Sequence, residues 1–262
     1  MPPDPEDAVP DEQQPQRRAG ARPSAVVSSV RAHADEEARI IGRQLDVLDL
    51  GGGTGGVAVP LAEEGHRVTV VDPSPDALAA LARRAREAGV HDNLTSIQGD
   101  GDALASVLAG HRFDLVCCHG VLEFVDDPTA TLRAISDALR PGGTLSLLVA
   151  GRLAVVFAKA IAGEFAQARA ALTDADGRWG RSDPLPRRFD LDQVEELLTD
   201  AGLTMAQVRG TNILGHLVPA SLVDSDADRA ALAELDELLV AAPGREFLRT
   251  LGNGLHLVAR RD

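Results

Sequence analysis

Tyrosine is absent from this 262-residue chain, and lysine and tryptophan occur once each, at Lys159 and Trp179. Aromatic residues make up 3% of it, so the stacking platforms that single-stranded RNA binding normally uses are scarce. The lone lysine among 26 basic residues, in a chain rich in alanine, reads as compositional bias rather than chemistry. Only two cysteines occur, and Cys117 and Cys118 are adjacent. That excludes the usual metal-binding spacings, and the apolar run Phe113 to Cys118 around them reads as a strand that sends the two thiols to opposite faces. They are expected to stay reduced and buried. No stretch approaches the roughly 18 apolar residues of a membrane span, and the amino terminus lacks an apolar signal segment, which predicts a cytoplasmic protein without a membrane partner. The formal net charge of −14 repels phosphate at long range and argues against nonspecific nucleic-acid binding.

What is present begins with Val47 to Gly56, Val-Leu-Asp-Leu-Gly-Gly-Gly-Thr-Gly-Gly. A short apolar strand runs into glycines that permit positive φ and let a ligand approach bare backbone. Gly56 then opens the run Val57 to Glu64, read as a helix with its amino end toward the ligand. The next strand, Arg67 to Asp72, ends in an acid 72 − 51 = 21 residues beyond the first glycine. At that distance the acid of a βαβ nucleotide-binding unit meets ribose hydroxyls. A nucleoside-containing cofactor is implied.

Gly51, Gly53 and Gly56 also satisfy the dinucleotide pattern G-x-G-x-x-G, so NAD(P) competes with S-adenosylmethionine. Asp49 distinguishes them by charge. A carboxylate beside the turn repels a pyrophosphate and attracts the ammonium and sulfonium groups of S-adenosylmethionine. The segment D-L-G-G-G-T-G resembles the first motif of class I S-adenosylmethionine-dependent methyltransferases. A cofactor-binding regulator without turnover and an NAD(P) oxidoreductase are the alternatives.

Along the chain, 1–23 is rich in Pro, Asp, Glu, Gln and Arg and is expected to be a mobile tail. The rest, 24–262, reads as one domain. Ser24 can cap a helix over 24–43 carrying Val26, Val27, Val30, Ala34, Ala38 and Ile41, which is expected to cover the cofactor site or a sheet edge. Strands at 47–50, 67–71, 94–98, 113–118 and 143–149 alternate with helices at 56–64, 75–88, 102–109 and 128–139, which predicts a parallel sheet covered on both faces. Pro141-Gly142-Gly143 reads as a breaker before the fifth strand. Residues 152–172 look like an amphipathic helix or helix pair with Val155, Val156, Phe157, Ile161 and Phe165 on its apolar side. The long irregular stretch Thr173 to Asp190 follows, and 151–188 is taken as a substrate-facing cap. Helix 190–201, strand 203–209, helix 227–241 and strand 254–260 complete an α/β Rossmann-like sheet of seven strands, the last two expected to pair antiparallel.

The segment His119-Gly-Val-Leu-Glu-Phe-Val-Asp-Asp-Pro128, with Leu139-Arg-Pro-Gly-Gly143, Leu145-Ser-Leu-Leu148 and His256-Leu-Val-Ala-Arg260, resembles the bacterial tRNA 5-carboxymethoxyuridine methyltransferases over about residues 45 to 260. The resemblance implies that Gly51 and Gly52 hold the methionine part of the cofactor and Asp72 the ribose; Gly53 and Asp49, in the same turn, are further candidate cofactor-binding residues. It places adenine at Gly101 and Asp102, and His119 near the methyl group. Asp102 is also a candidate helix cap. The family methylates a carboxylate, which is already anionic at neutral pH and needs no general base. Arg187, in Leu-Pro-Arg-Arg, matches the family's Tyr-Pro-Arg, and with Arg188 it forms a candidate carboxylate clamp. Arg22 is an offset counterpart of an amino-terminal arginine that contacts the cofactor. The chain departs from the family at Leu185, at the acidic segment Thr173 to Gly177, at Asn212 and Leu214, and at Asn253 and Gly254, where tyrosine, basic or aromatic residues are lost. The implied acceptor is therefore a modified wobble uridine of tRNA or a small acidic metabolite.

Overall fold

A computed structural model describes residues 25–108, 110–241 and 246–262. The expected tail, the Ser24 cap and Arg22 lie outside the described residues. Strands β1 (Asp46–Leu50), β2 (Arg67–Asp72), β3 (Leu94–Gln98), β4 (Phe113–His119), β5 (Leu139–Ala150), β6 (Leu203–Thr211) and β7 (Gly254–Arg261) form one sheet in the order β3-β2-β1-β4-β5-β7-β6. Its first five strands run parallel, as expected for apolar strands separated by helices, and β7 pairs antiparallel with both β5 and β6.

Two apolar layers result. Strand residues alternate between faces, so Val47, Leu115 and Cys117 pack under α1 (Ala25–Ile41), α2 (Ala58–Glu63) and α3 (Pro75–Glu87). Leu48, Leu50, Val116 and Cys118 turn the other way, toward α4 (Leu104–Val107), α5 (Pro128–Ala138) and α8 (Leu191–Asp200). The adjacent cysteines do part to opposite faces, both buried and unbridged. Helix α1 lies over a face of the sheet rather than along an edge. Val26, Val30 and Ala34 enter the core, and the buried Glu37 accepts from Thr144 on β5.

Several expected boundaries move for identifiable reasons. Helix α2 begins at Ala58, two residues after Gly56, because the glycine turn runs on to Gly55 (φ 82°). Helix α4 has four residues, since its approach is capped by Asp100, whose carboxylate accepts from the Ala103 N–H at 2.9 Å, and not by Asp102. Pro141 to Gly143 lie inside β5: Phe113 pairs with Leu139 and Leu115 with Thr144, so the extra residues bulge and the strand continues. Residues 152–172 divide into α6 (Arg152–Ile161) and α7 (Phe165–Thr173), with Gly163 at φ 77° between them. Val155 is buried, but Phe157, Ile161 and Phe165 are exposed, so most of the presumed apolar side does not face this chain. Helix α9 (Ile213–Leu217) was not foreseen; α10 spans Asp226–Ala241. No helix among the described residues is long and apolar enough to cross a membrane.

Candidate functional site

The carboxyl ends of β1, β2 and β4 converge at the glycine turn. Gly51 continues β1 with its N–H on the Val71 carbonyl at 2.7 Å, and takes φ 70°. A Cβ there would lie 2.4 Å from Val121 Cγ2, so the loop after β4 closes directly against the turn. The Gly53 N–H donates to Asp72 Oδ2 at 2.8 Å, while Asp72 Oδ1 accepts from the Ser74 N–H at 2.9 Å. Asp72 thus fastens the turn to the end of β2.

Asp49 lies beneath the turn, 2% exposed, and a Cβ on Gly52 would come within 2.5 Å of its Oδ2. That oxygen is buried without a hydrogen-bond partner. Burial pushes the carboxyl up to about 7, opposed by the Ala58 N–H and reinforced by the neighbouring Asp72. A fixed negative charge is therefore not what the turn carries at neutral pH. A cation placed beside this carboxyl would favour its ionised form.

Gly101 is buried against the same loop: a Cβ on it would meet Val125 Cγ1 at 2.8 Å. The exposed Asp102 reaches the Asp126 N–H at 3.4 Å. Gly51, Gly101 and Asp102 therefore share one wall, the segment 121–126. Glu123 in that wall is buried. Its Oε1 accepts from the Ala150 N–H and its Oε2 has no partner, so burial raises its carboxyl above the usual range. It pins the loop to the end of β5.

The two arginines of the expected clamp separate. Arg188 is buried and bidentate to Asp183, with Nη1 to Oδ2 at 2.6 Å and Nη2 to Oδ1 at 3.0 Å, and it donates to the Gly177 carbonyl as well. A guanidinium satisfied in this way organises its own loop and is withdrawn from substrate. Arg187 reaches the site wall instead. Its Nη1 donates to the Leu122 and Val125 carbonyls, each at 3.1 Å, and its Nε reaches Asp176 at 3.4 Å, which leaves Nη2 without a hydrogen-bond partner among the described residues. Arg152, which sequence reasoning overlooked, is buried at the start of α6 and donates to the Asp174 and Ala175 carbonyls while pairing with Asp190 at 2.9 Å. Its position directly after an apolar strand was the one available signal.

His119 closes β4 with Nε2 2.9 Å from Ser146 Oγ, and burial lowers its pKa to about 3. The imidazole is neutral at any physiological pH.

Comparison with known proteins bears on this geometry. Residues 48–145 match the family model described as a methyltransferase domain. Over 219 residues, 84% of this chain and 81% of the relative, the sequence is 32% identical to the tRNA 5-carboxymethoxyuridine methyltransferase of Escherichia coli (strain K12). The chain is a class I S-adenosylmethionine-dependent methyltransferase. A shorter match, 38% over 117 residues, covers 45% of this methyltransferase and 48% of the ubiquinone biosynthesis O-methyltransferase of Xanthomonas axonopodis pv. citri (strain 306). The fold is shared with magnesium protoporphyrin IX methyltransferase from Synechocystis PCC 6803 with bound S-adenosylhomocysteine, at a TM-score of 0.59 and 19% identity over 90% of this chain and 82% of that one. The cofactor is S-adenosylmethionine. The residues in place fit it: a buried carboxylate oxygen lacking a donor suits a cationic amino acid better than a diphosphate, and the turn has no room for a side chain at Gly51 or Gly52.

Proposed function

We propose that this methyltransferase esterifies or O-methylates an anionic oxygen, a carboxylate in particular, on a small acidic metabolite or on a modified wobble uridine of tRNA. Gly51, Gly52 and Gly53 would present backbone to the methionine part, with Asp49 ionised beneath its ammonium. Asp72 would take the ribose hydroxyls, and Gly101 and Asp102 the adenine. When bound, the cofactor supplies an electrophilic methyl group. Segment 151–188 would act as the cap over the acceptor, from which Arg187 reaches in.

The observation that carries this reading is the engagement of His119 at the mouth of β4, where its Nε2 is taken up by Ser146 Oγ at 2.9 Å. An imidazole with a pKa of about 3 is a poor proton acceptor, so an acceptor that must lose a proton is badly served, whereas a carboxylate has none to lose. Catalysis then rests on proximity and in-line orientation, with Arg187 Nη2 available to an anionic oxygen.

Calorimetry with S-adenosylhomocysteine tests the cofactor assignment. Binding at micromolar ligand that is lost in Asp72→Ala is expected, and no heat from the wild type would end it. Mass spectrometry of tRNA nucleosides and of acidic metabolites from a deletion strain separates the acceptors: an unchanged wobble-uridine ester content excludes the RNA role.

A further inference from the structure

His119 is the first of three polar side chains linked across neighbouring strands of the sheet. Ser146 Oγ on β5 stands 2.9 Å from His119 Nε2 and 2.8 Å from His256 Nε2 on β7, and the two rings meet edge to face with centroids 6.0 Å apart. Ser146 and His256 are both buried. We infer that Ser146 and His256 are positioning residues that hold His119 as its Nδ1–H tautomer, so that the methyl-transfer site presents a neutral hydrogen-bond donor that selects an anionic acceptor oxygen. The inference rests on the function proposed above and deepens it.

The argument is one of proton counting. A serine hydroxyl has a single proton to donate, and its oxygen can accept another. Placed between two neutral imidazoles it donates to one Nε2 and accepts from the other, so the rings must carry opposite tautomers. Either His256 is the Nε2–H form and His119 the Nδ1–H form, or the reverse. Burial keeps both rings neutral: His256 is lowered to about 4, by desolvation first and then by His33 and Arg209. Arg209, on β6, is registered directly against His256 and is itself paired with Glu237. The two nitrogens of an imidazole point in nearly opposite directions. With Nε2 of His256 turned toward β5, its Nδ1 turns toward β6, where a lone pair is favoured beside a guanidinium and an N–H is not. Arg209 thereby selects Nε2–H on His256, the hydroxyl proton on His119 Nε2 and N–H at His119 Nδ1, against the Ser146 carbonyl, which favours a proton on the His119 ring. His33 on α1, which also lowers His256, is bonded through its own Nδ1 to the Ser29 carbonyl at 2.8 Å.

The same geometry aims His119. Its strand lies between β1 and β5, so a ring whose Nε2 faces β5 turns Nδ1 toward β1 and the glycine turn. An N–H there stabilises an oxygen that bears charge. It offers nothing to remove a hydroxyl proton, and so a hydroxyl acceptor is disfavoured relative to a carboxylate.

Nitrogen NMR of the full chain labelled with 15N-histidine reads the tautomers directly, His119 being assigned by its loss in His119→Gln. The expected result, with or without S-adenosylhomocysteine, is a protonated-type shift at His119 Nδ1 with an unprotonated-type shift at Nε2, and the reverse pattern at His256. Ser146→Ala should bring the two His119 shifts toward each other as both tautomers populate, and Ser146→Thr should restore the separation, which a purely structural role for Ser146 would not do. An Nε2–H form of His119 in the wild type overturns the inference, and so does an unchanged pattern in Ser146→Ala that retains the wild-type circular dichroism. Because the unliganded protein already reports the tautomer, failure of S-adenosylhomocysteine to bind would count against the cofactor site alone.

Discussion

Asp49→Asn tests the electrostatics of the turn most directly, because it removes an ionisation while nearly preserving shape. The Asp49 carboxyl stands at about 7 in the folded chain, well above the 3.8 of an ordinary aspartate, because it is buried. A raised carboxyl favours folding fully only below the unfolded value, and that contribution is lost as pH climbs through the folded one. At about 1.36 kcal/mol per unit the loss is on the order of 4 kcal/mol between pH 3.8 and 7. Asparagine cannot ionise, so the unliganded variant should gain on the wild type by up to that amount as pH rises, less about 1–3 kcal/mol for an amide N–H left unpaired where Oδ2 now sits. Cofactor binding should show the opposite preference. If the ammonium binds only the ionised form, wild-type affinity should be about 16-fold weaker at pH 5.5 than at pH 7, and binding at pH 6 should release about 0.9 proton. The ammonium, like other α-amino groups with pKa about 7.7–8.0, stays protonated across that window. The variant should release none and show a flat profile. Calorimetry with S-adenosylhomocysteine in buffers of different ionisation enthalpy measures both quantities. No proton release from the wild type, or equal affinity of the two proteins at pH 7, would refute the reasoning.

Other substitutions separate structural from functional roles. Asp183→Ala leaves the Arg188 guanidinium buried without its bidentate partner and should cost about 3–5 kcal/mol in urea denaturation; a loss below 1 kcal/mol would mean that the pair is not the anchor of its loop. Gly51→Ala forces a Cβ onto a residue at φ 70° and against Val121. It should lose about 1–2 kcal/mol from the backbone alone and weaken S-adenosylhomocysteine at least tenfold, and wild-type affinity in the variant would show that the turn does not carry the ligand. Arg187→Ala should lower kcat/KM for a carboxylate acceptor tenfold or more, since a hydrogen bond to a charged group contributes about 1.5–3 kcal/mol. An unchanged ratio would remove Arg187 from the acceptor site.

The sheet and the cofactor turn were legible in the sequence because both are local constraints. Expected strands of four to seven residues alternate with helices, and the glycines between Asp49 and Val57 mark a turn in the backbone. Legibility failed where a contact crosses the chain. Asp100 and Asp102 are equally good caps on paper, and only the packing of Gly101 against Val125 and Thr131 assigns the role to Asp100. Pro141-Gly142-Gly143 carries every mark of a breaker, yet β4 and β7 hold the strand together across the bulge. Arg187 and Arg188 are indistinguishable as neighbours, and their fates were decided by Asp183 in one case and by two carbonyls of a loop more than 60 residues away in the other. His119 could be singled out from its strand end, but Ser146 and His256, 110 residues apart, gave no sign of belonging to it beyond being polar in apolar strands.

The choice between acceptors turns on what cations and rings remain unspent. RNA binding draws its affinity from basic side chains along the phosphates and from aromatic faces for the bases. In this chain Arg43 and Arg140 are held by Asp114, Arg67 by Asp46, Arg152 by Asp190, Arg209 by Glu237 and Arg229 by Asp226. The single lysine pairs with Glu164 at 2.6 Å and sits over the ring of Trp179, 4.1 Å from its centroid, so one contact engages both the sole lysine and the sole tryptophan. A tRNA would have to be held against a net charge of −14, with these seven cations already shared with carboxylates. A small carboxylate needs only one free guanidinium face and one N–H, which Arg187 and His119 would supply on the function proposed above. On that balance the acidic metabolite is the better-matched acceptor, and raising ionic strength should weaken its turnover only modestly, where an RNA substrate would lose affinity steeply as the salt slope of several phosphate contacts demands.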